Sequence, residues 1–124
     1  MAEYNYTPNK RVFILQAFTL KVIQTIEQIP SGEVATYGQI AAMAGNHRAA
    51  RQVSRVLHTC SHKYQLPWHR VIGSSGKISI PKDQAGYQRQ KKKLQSEGVE
   101  FGLGDTIDLT QYQWQGNSLN DPNF

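Results

Sequence analysis

Cysteine is almost missing from this sequence. Cys60 stands alone, so an internal disulfide and a cysteine-based zinc cluster are both excluded. Long apolar runs are missing too: nothing approaches the roughly 20 residues of a membrane-spanning helix. The N-terminal stretch MAEYNYTPNKRVF lacks the basic-then-apolar layout of a secretory signal. A cytoplasmic protein is therefore the expectation. Acidic residues are scarce: nine Asp and Glu face fourteen Lys and Arg, for a formal charge of +5. Such a balance suits an anionic polymer as partner. No internal repeat or second domain is visible in the 124 residues, a length that fits one compact domain. Among the four histidines, His58 and His62 would share a helix face, but a third ligand is missing. Neither a metal nor a cofactor is expected.

What is present reads as mainly α, with a small β-hairpin. Residues 1–10 are polar and irregular, a flexible arm. From Arg11 to Ile29, Phe18, Val22, Ile26 and Ile29 recur at helical spacing, and Pro30-Ser31-Gly32 ends that pattern. Glu33-Val34-Ala35 reads as a short extended segment. Thr36 followed by Gln39 is a capping box, which starts a helix at Tyr37; Gly45 ends it. Asn46 then caps a second helix from His47 to His58. Two helices across so tight a turn make a helix-turn-helix, of winged-helix-like type. Residues 59–66 read as loop. Lys77 to Ile80 alternates and should pair as a hairpin with the segment around Val71. A further helix runs from Asp83 or Gln84 to Glu97, with Tyr87 and Leu94 as its seam and Lys91–Lys93 solvated. Ile107, Leu109, Tyr112 and Trp114 are candidates to cover the core. The folded domain is read as 11–115, and 116–124 as a flexible tail.

Two features carry chemistry. Arg48, Arg51 and Arg55 are spaced to share one face of the second helix, where a helix-turn-helix touches DNA, and Ala49 and Ala50 keep that helix slim. The second is LPWHRV, Leu66 to Val71. His69 could take a proton, and Arg70 is a cation. The residue before His69, however, is Trp68, whose indole is no nucleophile. His69 and Glu97 could form an acid–base pair. An aromatic ring beside cationic groups suits packing against a flat heterocycle such as an extruded base. The bland alternative is that Trp68 anchors the core.

IPSGEVATYGQIAAMAG, AARQV, LPWHRVIGSSGKIS and KKKLQSEGV follow one another in order. From about Phe18 to Val99 the sequence thereby resembles the DNA-binding domain of the O6-alkylguanine-DNA alkyltransferases. The enzymes of that family carry their acceptor cysteine in a Pro-Cys-His-Arg-Val motif; here the position holds Trp68. That substitution is similar to the alkyltransferase-like members, which keep the lesion pocket without the acceptor. The resemblance to those members implies that the enzymes' separate N-terminal domain is not expected here.

The resemblance implies a non-enzymatic sensor. It would bind double-stranded DNA containing O6-alkylguanine through the minor groove, flip the damaged base, and flag it for nucleotide excision repair proteins. A monomer is the simplest assumption. The resemblance makes Tyr37 the residue that presses on the phosphate beside the lesion. Arg51 becomes the finger that fills the gap in the stack, with Arg48, Arg55 and Ala50 along the backbone. The lesion pocket would comprise Trp68, Val71, Tyr37 and Ser75, the wall running on to Ser79. His69 and Glu97 would be vestiges of thiol activation, and Arg70 would brace the motif. Two alternatives stand beside this: an active alkyltransferase using Cys60, which lies where the enzymes commonly have a hinge Asn, and a plain helix-turn-helix regulator.

Overall fold

The computed structural model describes residues 10–116, with side chains from residue 17 onward. The arm expected over 1–10 and the tail expected over 116–124 therefore fall outside the described residues, apart from Lys10 and Gly116. Helix α1 (Lys10–Glu27) buries Val22, Ile23 and Ile26, and Ile29 follows them into the core just past the helix end. Burial of side chains of this size stabilises by roughly 1.5–3 kcal/mol each.

Strand β1 (Ala35–Thr36) runs straight into helix α2 (Tyr37–Met43). The capping box forms as the sequence requires. The Gln39 backbone N–H donates to the Thr36 hydroxyl at 3.1 Å, and the Thr36 N–H donates to Gln39 Oε1 at 3.3 Å. Gly45, at φ 107°, supplies the left-handed turn that stops α2. Helix α3 (Ala50–Tyr64) follows.

Both ends of α3 differ from the sequence expectation. Asn46 does not cap it. Its Oδ1 accepts from the Arg48 N–H at 3.1 Å and its carbonyl accepts from the Ala49 N–H at 3.0 Å, which closes a separate turn before the helix begins. At the other end α3 continues through 59–64, where a loop was expected. Thr59 donates its hydroxyl to the Arg55 carbonyl at 3.0 Å and Ser61 to the Leu57 carbonyl, so neither side chain competes for the helix amides. Leu57 and Cys60 pack against the core and hold this last stretch down. Gln65 ends the helix in the left-handed region, at φ 53°.

A 3₁₀ turn (Trp68–Arg70) leads into strand β2 (Val71–Ile72). The expected pairing of this segment with Lys77–Ile80 does not form. β2 pairs in parallel with β1, Ala35 opposite Val71 and Thr36 opposite Ile72. Residues 77–80 are not a strand, because the turn before them docks elsewhere: the Gly76 carbonyl accepts from the Ile107 N–H at 2.8 Å. Among the described residues a small hairpin joins β3 (Phe101–Gly102) to β4 (Thr106–Ile107), on either side of a second 3₁₀ turn (Leu103–Asp105). Helix α4 (Ala85–Ser96) precedes it and the one-turn helix α5 (Leu109–Tyr112) follows.

The core has two parts. The larger joins α1, α2 and α3 to Val71 and Trp114; the smaller gathers Val34, Ile72, Leu94, Val99 and Ile107. The segment after residue 99 is thus tied in, as its apolar residues suggested. Val34 accepts from the Trp114 N–H at 2.7 Å and donates to the Tyr112 carbonyl at 2.9 Å. The parallel β1–β2 pair matters most for function. It sets the start of the helix-turn-helix beside the turn that carries Trp68.

Candidate nucleic-acid interface

Arg51 and Arg55 lie one turn apart on α3, both exposed. Arg48 is also exposed but belongs to the turn before the helix, so the three do not form the single helical stripe expected. Among the described residues none of these guanidiniums is held in an ion pair. Ala50 opens the helix, half-buried, while Ala49 is packed inside. The result is a slim helix N-terminus flanked by cations free to meet phosphates.

Beside α3 lies a cavity of about 890 Å³. Tyr37, Leu57, Leu66 and Trp68 form part of its wall, with Ser79, Ile80 and Pro81 across from them in sequence. The Tyr37 hydroxyl and Ser79 Oγ are 2.8 Å apart, which joins the start of α2 to the loop after residue 76. Val71 and Ser75 do not line the cavity. Val71 is fully buried in the core as part of β2, and Ser75 is exposed on its turn. Of the wall expected to run on to Ser79, Ser79 does line the cavity, and Ile80 and Pro81 continue it.

Pro67 aims Trp68. At φ −75° and ψ 64° it forms an inverse γ-turn, with the Trp68 N–H donating to the Leu66 carbonyl at 2.7 Å. The proline ring sets that φ in advance. The half-buried indole then stands edge-on to His69, ring centres 6.1 Å apart and planes at 85°.

Behind Trp68 is a compact ionic brace. Arg70 donates through Nε and Nη2 to Glu97 at 3.0 and 2.7 Å, and through Nη1 to the Ile29 carbonyl at 2.8 Å. His69 Nε2 meets Glu97 Oε2 at 2.8 Å, and the Gly32 N–H donates to Oε1 at 3.1 Å. Burial by itself would raise the Glu97 pKa. The hydrogen bonds from Arg70, His69 and Gly32 outweigh it and bring the group down to about 2. Burial lowers the His69 pKa below its ordinary value, against the pull of Glu97. At neutral pH the imidazole is therefore neutral and donates to a carboxylate whose charge Arg70 balances. The acid–base pair read from the sequence exists as a contact, and Arg70 braces the motif as expected.

Residues 17–99 match the family described as 6-O-methylguanine DNA methyltransferase, DNA binding domain. The chain belongs to this family. Among its relatives, a DNA base-flipping protein of Vibrio parahaemolyticus is 43% identical over 101 residues, which cover 82% of this chain and 99% of the relative. Alkyltransferase-like protein 1 of Schizosaccharomyces pombe is 41% identical over 105 residues, 82% of this chain and 97% of the relative. The solved structure of the S. pombe protein with damaged DNA containing O6-carboxymethylguanine superposes with a TM-score of 0.72 at 39% identity. It covers 81% of this chain and 96% of that one.

Within this family frame, Cys60 is set apart from the cavity. It is half-buried, packs against the core, and its Sγ lies 3.5 Å from the Thr59 hydroxyl. His58 and His62 do face the cavity, and no group of three or more potential metal-ligating side chains occurs among the described residues. No described helix is long and apolar enough to cross a membrane.

Several contributors escaped sequence reading. Gln90 is buried and donates through Nε2 to the carbonyls of His69 and Val71, each at 3.0 Å, which fixes the motif from behind. Its spacing with Tyr87 and Leu94 along one helical seam was the available signal. The far wall, with Gln84 and Arg89 of the α4 region, had no local signal, because only packing brings it opposite Trp68.

Proposed function

We propose that this chain is a non-enzymatic sensor of O6-alkylguanine in duplex DNA. The observation that carries the reading is a roomy cavity in which Tyr37 and Trp68 share the wall, directly beside the arginine-bearing helix α3. α3 enters the minor groove, with Arg48, Arg55 and Ala50 along the backbone. Tyr37 presses on the phosphate next to the lesion. Arg51 replaces the extruded base in the stack, where a planar guanidinium can both stack and hydrogen-bond to the orphaned cytosine. The flipped base packs against Trp68.

The chain transfers no alkyl group. Trp68 occupies the place before His-Arg-Val where the family's enzymes hold the acceptor cysteine, and Cys60 does not open onto the cavity. His69 and Glu97 then hold the turn rather than activate a thiol. The bound, distorted site recruits nucleotide excision repair proteins, with the sensor acting as a monomer in the cytoplasm. Two relatives support this reading, a DNA base-flipping protein and a protein whose structure holds damaged DNA containing O6-carboxymethylguanine.

The test is a binding series on duplexes bearing O6-alkylguanines of growing size, with the undamaged duplex as baseline. A gain of about tenfold or more is expected for lesions, since alkylation lowers the few kcal/mol that flipping costs. Intact-mass spectrometry after incubation should show no adduct on the protein. Equal affinity for damaged and plain DNA would overturn the sensor reading, and a methyl adduct would reinstate the enzyme.

A further inference from the structure

Helix α4 carries four cations in its twelve residues, Arg89, Lys91, Lys92 and Lys93, and no acid. The lysine run, expected to be solvated throughout, divides in the fold. Lys91 is half-buried: its Nζ donates to Asp105 at 3.0 Å and lies 5.6 Å from the centre of the Phe101 ring. Lys92 and Lys93 are exposed, and their ammonium groups meet no carboxylate among the described residues. Glu97, at the end of the helix, is taken by Arg70 and His69, and Asp83 stands before the opposite end.

Arg89, Lys92 and Lys93 are spaced i, i+3, i+4, so they share one face, turned away from the buried seam of Tyr87, Gln90 and Leu94. Like charges at this spacing destabilise a helix, and no acid on α4 offsets them. Lys93, in the last turn, suits the helix dipole, but that accounts for one cation of the three. The patch also has a place relative to the DNA-facing helix. Arg89 lines the same cavity as Ser54, Leu57, His58 and Ser61 of α3. Burial is the main cause of the lowered His69 pKa, and Lys93 adds to it at a distance, so Lys93 lies toward the Trp68 turn. The basic face of α4 thus continues, across the cavity, the cationic face of α3.

We propose that Lys92 and Lys93 form a second DNA contact, which takes phosphates of the duplex flank beyond the cavity while α3 holds the groove. The proposal goes beyond lesion sensing and needs only that α3 binds DNA. Two features favour a nucleic acid as the occupant. One is continuity with the helix-turn-helix interface through Arg89. The other is the chemistry of lysine, a mobile point charge that meets phosphates without reading bases. The contact therefore adds affinity for damaged and undamaged duplexes alike, and keeps the protein on DNA while it searches.

The experiment measures binding of the full chain by fluorescence anisotropy, for wild type and Lys92→Gln/Lys93→Gln, at salt from about 50 to 200 mM. The probes are duplexes of about two helical turns and of about one turn, each with a central guanine or O6-methylguanine. Each lost phosphate contact should reduce the slope of log K against log salt by about 0.9. On the longer duplexes the variant's slope should therefore be shallower by about 2, and the wild-type advantage should shrink about tenfold across that salt range. On the one-turn duplexes, which lack the flank, the two proteins should bind almost alike. The ratio of affinities for O6-methylguanine and guanine should be the same in both proteins. Both lysines are exposed, so thermal unfolding of the variant should match wild type within a degree or two. An unchanged slope on the longer duplexes overturns the proposal and leaves the patch to an acidic protein or to solvent. A slope that falls equally on the one-turn duplexes also overturns it, by placing the lysines within the groove contact. A changed lesion ratio does the same, by placing them at the cavity. The guanine duplexes decide the slope whether or not O6-methylguanine is preferred, so a failure of the sensor reading is seen separately.

Discussion

Glu97→Gln isolates the brace behind Trp68. The substitution keeps shape but removes the charge that answers Arg70 and accepts from His69 and Gly32. The Glu97 carboxyl falls from 4.5 to about 2 in the fold. At about 1.4 kcal/mol per pH unit that depression corresponds to roughly 3 kcal/mol. The side chain is only 14% exposed, so solvent screening reduces this little. Loss of the carboxylate also leaves the Arg70 cation, 18% exposed, without its counter-charge, with only neutral acceptors such as the Ile29 carbonyl. Urea titration at pH 7, followed by tryptophan fluorescence, should show a loss of about 3 kcal/mol, equivalent to about 10 °C in Tm for a domain of this size. The pH dependence gives a second check. A depressed carboxylate stabilises fully above 4.5, and its contribution fades as pH falls through about 2. The gap between wild type and variant should therefore shrink across that window. The depressed His69 acts in the same direction at higher pH: its contribution is complete above 6.5 and declines on acidification. A loss under about 1 kcal/mol at pH 7, or a gap that persists unchanged at pH 2, would refute the brace as described.

Arg51→Ala should leave Tm within a degree or two, because the side chain is exposed, yet abolish most of the lesion preference in the anisotropy assay. Retained preference would remove Arg51 from the finger role. Thr36→Ala deletes one half of the capping box and should cost about 1 kcal/mol in denaturant titration. Gly76→Ala should be far worse, since its Cβ would lie 2.4 Å from the Ile107 carbonyl at a φ of +82°. Loss of the folded baseline at 37 °C is the expected readout.

Trp68→Cys asks whether His69 and Glu97 still form working machinery. Stoichiometric methyl transfer, read by intact mass, would mean that they do. A folded but inert variant is expected, because a thiol at 68 leaves a cavity wall and loop shaped around an indole rather than around an acceptor sulfur.

The sequence by itself determined the elements whose signals are local. The capping box at Thr36 and Gln39, the glycine stop at Gly45 and the apolar seam of α1 each depend on neighbours a few residues away. The ordered motifs from Ile29 to Val99 also fixed the family, and the His-Arg-Val run pointed to Trp68. Tertiary structure decided what depends on distant partners. Thr59, Cys60 and Ser61 look like a helix end in isolation, but contacts with the core carry α3 on to Tyr64. Val71 pairs with Ala35, 36 residues earlier, rather than with the nearby Lys77 segment, and so leaves the cavity wall for the core. Gly76 holds that nearby segment against β4. The far wall with Ile80 and Arg89 has no signature in sequence, because a cavity is the space that packing leaves between elements.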